Sequence, residues 1–478
     1  MSAPAGPENQ ALTVIADVRE GEYGDKVAAV EPGGAEFIPL ADRHGTPIAL
    51  FWTWLSPNLE FATVFLGVLA IAAFGQSLPA AVVAIVLGTA LGSLTQGVLS
   101  ARGPQFGVAQ MILSRIPFGF RGNVLPAGLN AVVAGIGWFA VNSVSGTLAL
   151  NALTKIPKVA ALLIVVLVQI AVAFMGHNFI HTFEKYALPL LAIAFALATI
   201  LIAAKSHPGA LTADPKVNQV AAFTLTFATS FGYAAGWNPY AADYTRYFAP
   251  ETSKRATALW SGLGIFVSCT VLEIAGALSV SLTKDPFTNA TAAFTSSLPS
   301  WVAKLTLLAI VIGAISANAI NVYSGAMSFL ALGIRIHLGL ARAIVAVVFG
   351  ALGFVVALDG LNDVSKYENF LLVIAYWIGP WLAVYFTDQY LRRGHQVSGY
   401  LFDRTHNPYA GWVSMLVGVV VSVWLFSNQV QYTGPLPKHF AWLGDLTFEA
   451  GFLITAALYF ALFRLQNDRT DEVLVIPD

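Results

Sequence analysis

Residues 232–240 read Gly232-Tyr233-Ala234-Ala235-Gly236-Trp237-Asn238-Pro239-Tyr240. They lie inside an apolar run, 217–248, and about 20 apolar residues are enough for a helix to cross a bilayer. Proline removes an amide donor and clashes with the preceding turn, and glycine lowers the cost of unwinding. A second cluster of this kind, Trp54-Leu55-Ser56-Pro57-Asn58-Leu59-Glu60, interrupts the run 49–74. In lipid, backbone groups freed by a break must find partners, so breaks survive only where they are buried or line a cavity.

Around these clusters the chain is predominantly apolar. Of its 478 residues 57% are hydrophobic and only 11% charged, against about a quarter charged in a soluble domain. Twelve apolar runs follow, at 49–74, 79–100, 124–150, 158–176, 184–204, 217–248, 256–282, 300–333, 339–358, 366–391, 410–427 and 442–465. The stretch 101–123 is Gly-rich, carries three arginines and is too charged to span. With a cytoplasmic N-terminus, 17 of the 25 basic residues, including every arginine, fall on the inner side, as the positive-inside rule requires. Both termini are then cytoplasmic. The expected organisation is a polar, mostly disordered tail (1–46), one transmembrane domain (47–465) and a short cytoplasmic tail (466–478). No basic segment followed by a short apolar one opens the chain, so no cleavable signal peptide is expected.

The two clusters are five spans apart. This spacing fits a five-plus-five inverted repeat whose first helices are discontinuous, with the substrate between them and two further helices at the C-terminal end. Ordinary proline kinks are the plain alternative. Two of them at matching positions, each flanked by Trp and Asn, favour the repeat.

Polar residues inside the runs then carry the functional reading. Run three holds Gly135-Ile136-Gly137-Trp138-Phe139-Ala140-Val141-Asn142, with Trp138 and Asn142 on one helix face. Run eight holds Ser316-Ala317-Asn318-Ala319-Ile320-Asn321-Val322-Tyr323-Ser324, with Asn318 and Asn321 also on one face. Buried amides must be hydrogen-bonded. They serve either as glue between helices or as readers of an uncharged ligand with both donors and acceptors. Tryptophan faces suit a flat ring.

Intramembrane carboxylates are costly and often functional, which makes Glu60 and Glu273 candidates for ion coupling. Asp243 reads as a partner of Arg246, and Asp388 and Glu449, near run ends, read as solvated. Carbonyls freed near Asn58, with the Ser316 hydroxyl, form a candidate cation site. His177 and His181 have metal-compatible spacing, but a solvated loop is the ordinary reading. The single Cys269 excludes a disulfide. No basic stripe points to nucleic acid, no protein partner is implied, and no nucleophile elbow, phosphate loop or complete dinucleotide motif points to an enzyme.

These segments resemble the nucleobase–cation symporter family one, in its purine-cytosine permease branch. The resemblance runs from about residue 47 to 465 and is most specific in Gly236-Trp237-Asn238-Pro239-Tyr240-Ala241-Ala242-Asp243-Tyr244. It implies a LeuT-type fold and alternating access. It also implies that Trp138 and Trp237 sandwich a heterocycle, that Asn142, Asn318, Asn321 and Ser56 contact it, and that Ser316 stands where sodium-coupled members have a hydroxyl. One departure is Ala317-Asn318-Ala319-Ile320-Asn321, where fungal relatives often carry Asn-Asn-x-Pro-Asn.

The expected function is import of a nucleobase, cytosine or a purine first, or a related planar heterocycle, driven by Na+ or H+ across a bacterial inner membrane. No other cofactor is expected. The rivals are an amino-acid–cation symporter of the same fold, which would use a zwitterion site at the breaks, and a channel, which would need repeated polar rings.

Overall fold

Each apolar run carries a helix in the computed structural model, which describes residues 36–174, 177–334, 338–361, 365–429 and 432–466. The first run splits into α1 (Ala49–Leu55) and α2 (Phe61–Val68). The next helices are α3 (Leu78–Ser100), α4 (Val124–Thr154), α5 (Lys158–Phe174) and α6 (His177–Lys205). The sixth run gives α7 (Gln219–Ala235) and the short α8 (Ala241–Thr245). Then come α9 (Lys254–Ser279), α10 (Ser300–Leu330), α11 (Leu338–Gly360), α12 (Ser365–Leu391), α13 (Ala410–Phe426) and α14 (Thr447–Leu465).

Among the described residues six helices are long and apolar enough to cross a membrane, or seven if the bent α1–α2 pair counts as one span. Three more, Lys158–Val172, Val347–Gly360 and Ala410–Phe426, are apolar but shorter. Large apolar side chains such as Leu94, Ile200, Val355 and Leu453 face outward. A belt of this kind belongs against lipid, because monomeric soluble proteins rarely expose contiguous apolar patches beyond a few hundred Å2. The chain is a multi-pass membrane protein.

The helices pack in three groups. One contains α1, α2, α3, α7 and α9; the second contains α4, α5, α6, α10 and α11; α12, α13 and α14 form the third. Small residues let backbones approach within the first group, as is usual between membrane helices. A methyl group on Gly276 would meet the Val64 carbonyl at 1.8 Å, and one on Gly67 would meet that of Glu273 at 1.6 Å.

The two interruptions differ. In the first, Pro57 ends α1 in a 3-10 turn (Ser56–Asn58), Glu60 is fully extended (φ -149°, ψ 175°), and the axis turns by 61°. This elbow rests on α10 at Gly313, where a Cβ would lie 2.4 Å from the Leu59 carbonyl. In the second, Gly236, Trp237 and Tyr240 stay in the right-handed region around a 3-10 turn, Asn238–Tyr240. Pro239 there tightens the chain without extending it.

Two readings change with tertiary contact. Asp388 is not solvated. It is 2% exposed, pairs with Arg392 at 2.8 Å and accepts the Tyr459 hydroxyl at 2.6 Å, because α14 packs over the last turns of α12 and covers it. The helix α6 begins at His177, so the His177/His181 pair lies on helical backbone rather than in a loop. Those two side chains lie outside the described set. Residues 101–123 form three short helices, Gly103–Phe106, Gln110–Leu113 and Arg115–Gly122.

Candidate functional site

The amides of α4 and α10 meet. Asn318 is the hub: its Oδ1 accepts from Asn142 Nδ2 at 3.0 Å and from Asn321 Nδ2 at 3.3 Å. Its own Nδ2 donates to the Phe139 carbonyl at 2.8 Å and to Ser143 Oγ at 3.3 Å. Ser143 donates to Gln169 Oε1 at 2.8 Å, and Gln169 Nε2 donates to the Ala314 carbonyl at 3.1 Å, so α5 braces the hub from behind. Tyr240, at the second interruption, donates to Asn321 Oδ1 at 3.3 Å. Asn142, Asn318 and Asn321 are thus brought together, and the second interruption touches them.

Both tryptophans pack at the second interruption, which touches the hub through Tyr240. A π-helical segment, Val133–Trp138, ends at Trp138 and resets the helical phase just before Phe139. Such segments often mark functional sites. The Trp138 ring packs edge-on to Tyr233 and to Phe370, each at 5.4 Å between centroids. It also reaches the second interruption, where a Cβ on Gly236 would lie 3.2 Å from Trp138 Cζ2. Glycine eases the close approach there. Trp237 donates from Nε1 to Asn58 Oδ1 at 2.9 Å, and its ring stands 5.8 Å from both Trp54 and Tyr240.

Asn58 is therefore committed. Its Nδ2 donates to the Trp54 carbonyl at 2.7 Å and its oxygen holds Trp237, so the side chain ties the two interruptions together.

Carboxylates cluster around the elbow. Glu60, wholly buried, accepts the Tyr233 hydroxyl at 3.2 Å, and Tyr233 also meets Thr63 Oγ1 at 2.7 Å. Glu60 lies over the first amides of α2 without meeting hydrogen-bond geometry. Glu273 accepts the Ser230 hydroxyl at 2.6 Å, while Thr89 faces it without forming a hydrogen bond.

Glu184 escaped the reading of the sequence. It is buried on α6, and Ser316 donates to its Oε1 at 2.6 Å. The Ser56 hydroxyl approaches the same carboxylate short of hydrogen-bond geometry, and Glu184 Oε2 has no partner among the described residues. Ser316 and Ser56, expected near an ion and a ligand, thus converge on an acid. Its signal in the sequence was weak: Glu184 stands at the polar edge of an apolar run, next to Lys185.

A cavity of about 670 Å3 opens beside this centre. Gly137, Val141 and Phe370 line it near the hub, and Lys158, Thr288 and Asp359 line it at the end of the helices. On the opposite side, buried Arg246 donates to Tyr247 at 2.9 Å and to Tyr323 at 3.1 Å, and Asp243 accepts the Gln110 amide at 2.8 Å. These contacts join α8, α10 and the 101–123 segment into a packed floor.

Comparison with known proteins gives a consistent result. The family described as permease for cytosine/purines, uracil, thiamine, allantoin matches residues 37–448. YxlA of Bacillus subtilis is 30% identical over 468 residues, 91% of this chain and 96% of that one. The purine-cytosine permease fcyB of Emericella nidulans is 27% identical over 478 residues, 92% of this chain and 91% of that one. Among solved structures, Mhp1, a nucleobase-cation-symport-1 family transporter in a closed conformation with bromovinylhydantoin bound, superposes with a TM-score of 0.73. That match has 18% identity over 94% of this chain and 97% of the other.

Proposed function

Because the chain belongs to the family of permeases for cytosine/purines, uracil, thiamine and allantoin, we propose that it imports a nucleobase, cytosine or a purine, together with a cation. The observation that carries this reading is the hydrogen bond from Tyr240 of the second interruption to the amide hub, with Trp237 packed on Tyr240 and Trp138 reaching the same interruption at Gly236. Amides offer both donors and acceptors to the edge of a ring, and the tryptophans offer it flat faces. Asn142 and Asn321 read the heterocycle edge, Asn318 fixes their orientation, and Trp138 and Trp237 bracket the ring. Ser56 lines the elbow beneath it.

The coupling cation, H+ or Na+, is taken up at Glu184, with Ser316 and Ser56 as its neighbours. This reading moves coupling from a site of carbonyl and hydroxyl oxygens near Asn58 to a carboxylate. Glu60 and Glu273 are bound through Tyr233 and Ser230 to α7, and they respond to that helix as it moves.

We read twelve spans in a five-plus-five inverted repeat with two added helices and both termini in the cytoplasm of a bacterial cell. In this frame residues 1–46 and 466–478 are cytoplasmic tails around one domain, 47–465. The 670 Å3 cavity is then the outer vestibule. Phe370 and Trp138 stand between it and the hub, and the Arg246–Tyr323 floor closes the inner side. Alternating access moves the group containing α1 and α7 against that containing α4 and α10.

The test is uptake of radiolabelled cytosine, adenine and hypoxanthine into proteoliposomes under imposed proton or sodium gradients. Saturable, gradient-driven uptake of a base supports the proposal. Uptake of an amino acid and no base would transfer the site to the rival symporter.

A further inference from the structure

A second large cavity, about 900 Å3, lies away from the amide hub, among the ends of α3, α9 and α12 and the segment preceding α1. Its lining is strongly cationic. Arg43, Arg102, Lys254, Arg255, Arg392 and Arg393 all face it, with His395 at the rim. The single acid in the lining, Asp388, is engaged by Arg392 and Tyr459. Among the described residues Arg102, Lys254, Arg255 and Arg393 have no carboxylate partner within ion-pair distance.

Two of the arginines are held in place. Arg43 donates to the carbonyls of Ile38 at 3.0 Å and Pro104 at 2.6 Å, and Arg102 lies over the rings of Phe106 and Tyr385. The α9 N-terminus adds its positive end at Lys254 and Arg255.

The remaining wall is mixed, with Gln105, Gln389, Gln396 and Ser398 among apolar side chains. Leu40 and Val98 are both exposed, and they continue from the charged floor toward the lipid-facing surface of α3. A cavity with a cationic floor and an apolar exit fits an amphipathic anion. By the distribution of basic residues, this end of the helices is the cytoplasmic one. Basic pockets between helices on that side suit anionic headgroups.

We propose that this cavity binds the phosphate headgroup of an anionic phospholipid, with its acyl chain leaving along Leu40 and Val98. The lipid bridges α3 and α9, which belong to one packing group, to α12, which belongs to another. Its presence therefore biases how those groups move relative to each other. A competing occupant is the segment before residue 36, which carries six acidic and two basic side chains.

The experiment titrates the purified full chain with short-chain phosphatidylglycerol, phosphatidylcholine and inorganic phosphate, reading the thermal unfolding midpoint. Phosphatidylglycerol raises the midpoint, and the other two do so far less. Each neutralised charge weakens apparent binding by roughly five-fold, from about 1 kcal/mol per basic residue. The double variant Arg102→Gln/Arg255→Gln therefore loses most of the response while keeping the response to base. If that variant does not fold, the exposed Arg393→Gln shows a single five-fold step.

Equal stabilisation by phosphatidylcholine, an unchanged response in the variants, or no response to phosphatidylglycerol would overturn the proposal. An equal response to inorganic phosphate would assign the cavity to a soluble anion. A response seen only after removal of residues 1–35 would assign it to that acidic segment.

Discussion

Replacing Glu184 with Gln separates coupling from substrate recognition. Gln keeps an oxygen where Oε1 accepts the Ser316 hydroxyl at 2.6 Å, so the contact between α6 and α10 survives as a neutral hydrogen bond, weaker by about 1 kcal/mol. It places an amide NH2 at the Oε2 position, which has no partner among the described residues. An unsatisfied buried donor costs roughly 1–3 kcal/mol, so the variant is somewhat less stable but folded. What it cannot do is exchange a proton or neutralise a cation.

At a membrane potential of 100 mV one coupled charge supplies about 2.3 kcal/mol. With a ten-fold ratio for each 1.36 kcal/mol, this corresponds to roughly 50-fold accumulation. Glu184→Gln should therefore reduce accumulation in energised proteoliposomes from that level to about equality. Exchange of labelled for unlabelled base, which needs no net ion movement, should persist. Accumulation in the variant that still follows the imposed gradient would refute the assignment of coupling to Glu184.

Four further outcomes follow from the geometry. Trp138→Ala or Trp237→Ala should each weaken base affinity by about 1–3 kcal/mol, the usual worth of stacking a base on an aromatic ring, measured by competition for labelled cytosine; Trp237→Phe should restore part of this while losing the bond to Asn58. Asn318→Ala removes the acceptor that orients Asn142 and Asn321; at about 0.6–1.7 kcal/mol per membrane hydrogen bond, it should raise the apparent Kd about ten- to a hundred-fold. Gly313→Leu forces a side chain into the Leu59 carbonyl and Glu60, so uptake should be lost along with thermal stability. Asp388→Ala leaves buried Arg392 without its carboxylate, and breaking a buried pair costs about 3–5 kcal/mol, which should appear as a lowered unfolding midpoint without a change in base selectivity.

The helices were legible because lipid makes the signal simple: a long run without charge has few alternatives. Pro57 marked the elbow correctly, since a missing amide and a ring clash act locally. Pro239 marked an interruption as well, but the chain there stays right-handed, and the difference lies in tertiary packing against Trp138 and Asn58. The asparagines were visible as costly residues in apolar runs, and their spacing put them on shared faces. Their mutual hydrogen bonds join α4 to α10 across 176 residues of sequence, which no local pattern reveals.

Glu184 was hidden because α6 begins at His177, two turns before the apolar run becomes obvious. That placed Glu184, the first residue of the expected run 184–204, two turns inside a helix and within reach of Ser316. Gln169 was hidden inside a continuous apolar run. Asp388 was misread because burial near a helix end depends on what covers it, here Tyr459 of α14.

The central claim is that the amide hub and its tryptophans recognise a nucleobase, and ligand-induced stabilisation of the purified protein tests it most directly, because a ligand that prefers the folded state must raise its stability. Cytosine, adenine or hypoxanthine at a hundred times its Kd should stabilise the protein by about 2.7 kcal/mol, and Asn318→Ala, with its ten- to hundred-fold weaker binding, should cut that gain to about 0.4–1.4 kcal/mol at the same concentration. A rise with amino acids and none with any base, or an undiminished rise in the Asn318→Ala protein, would contradict the account.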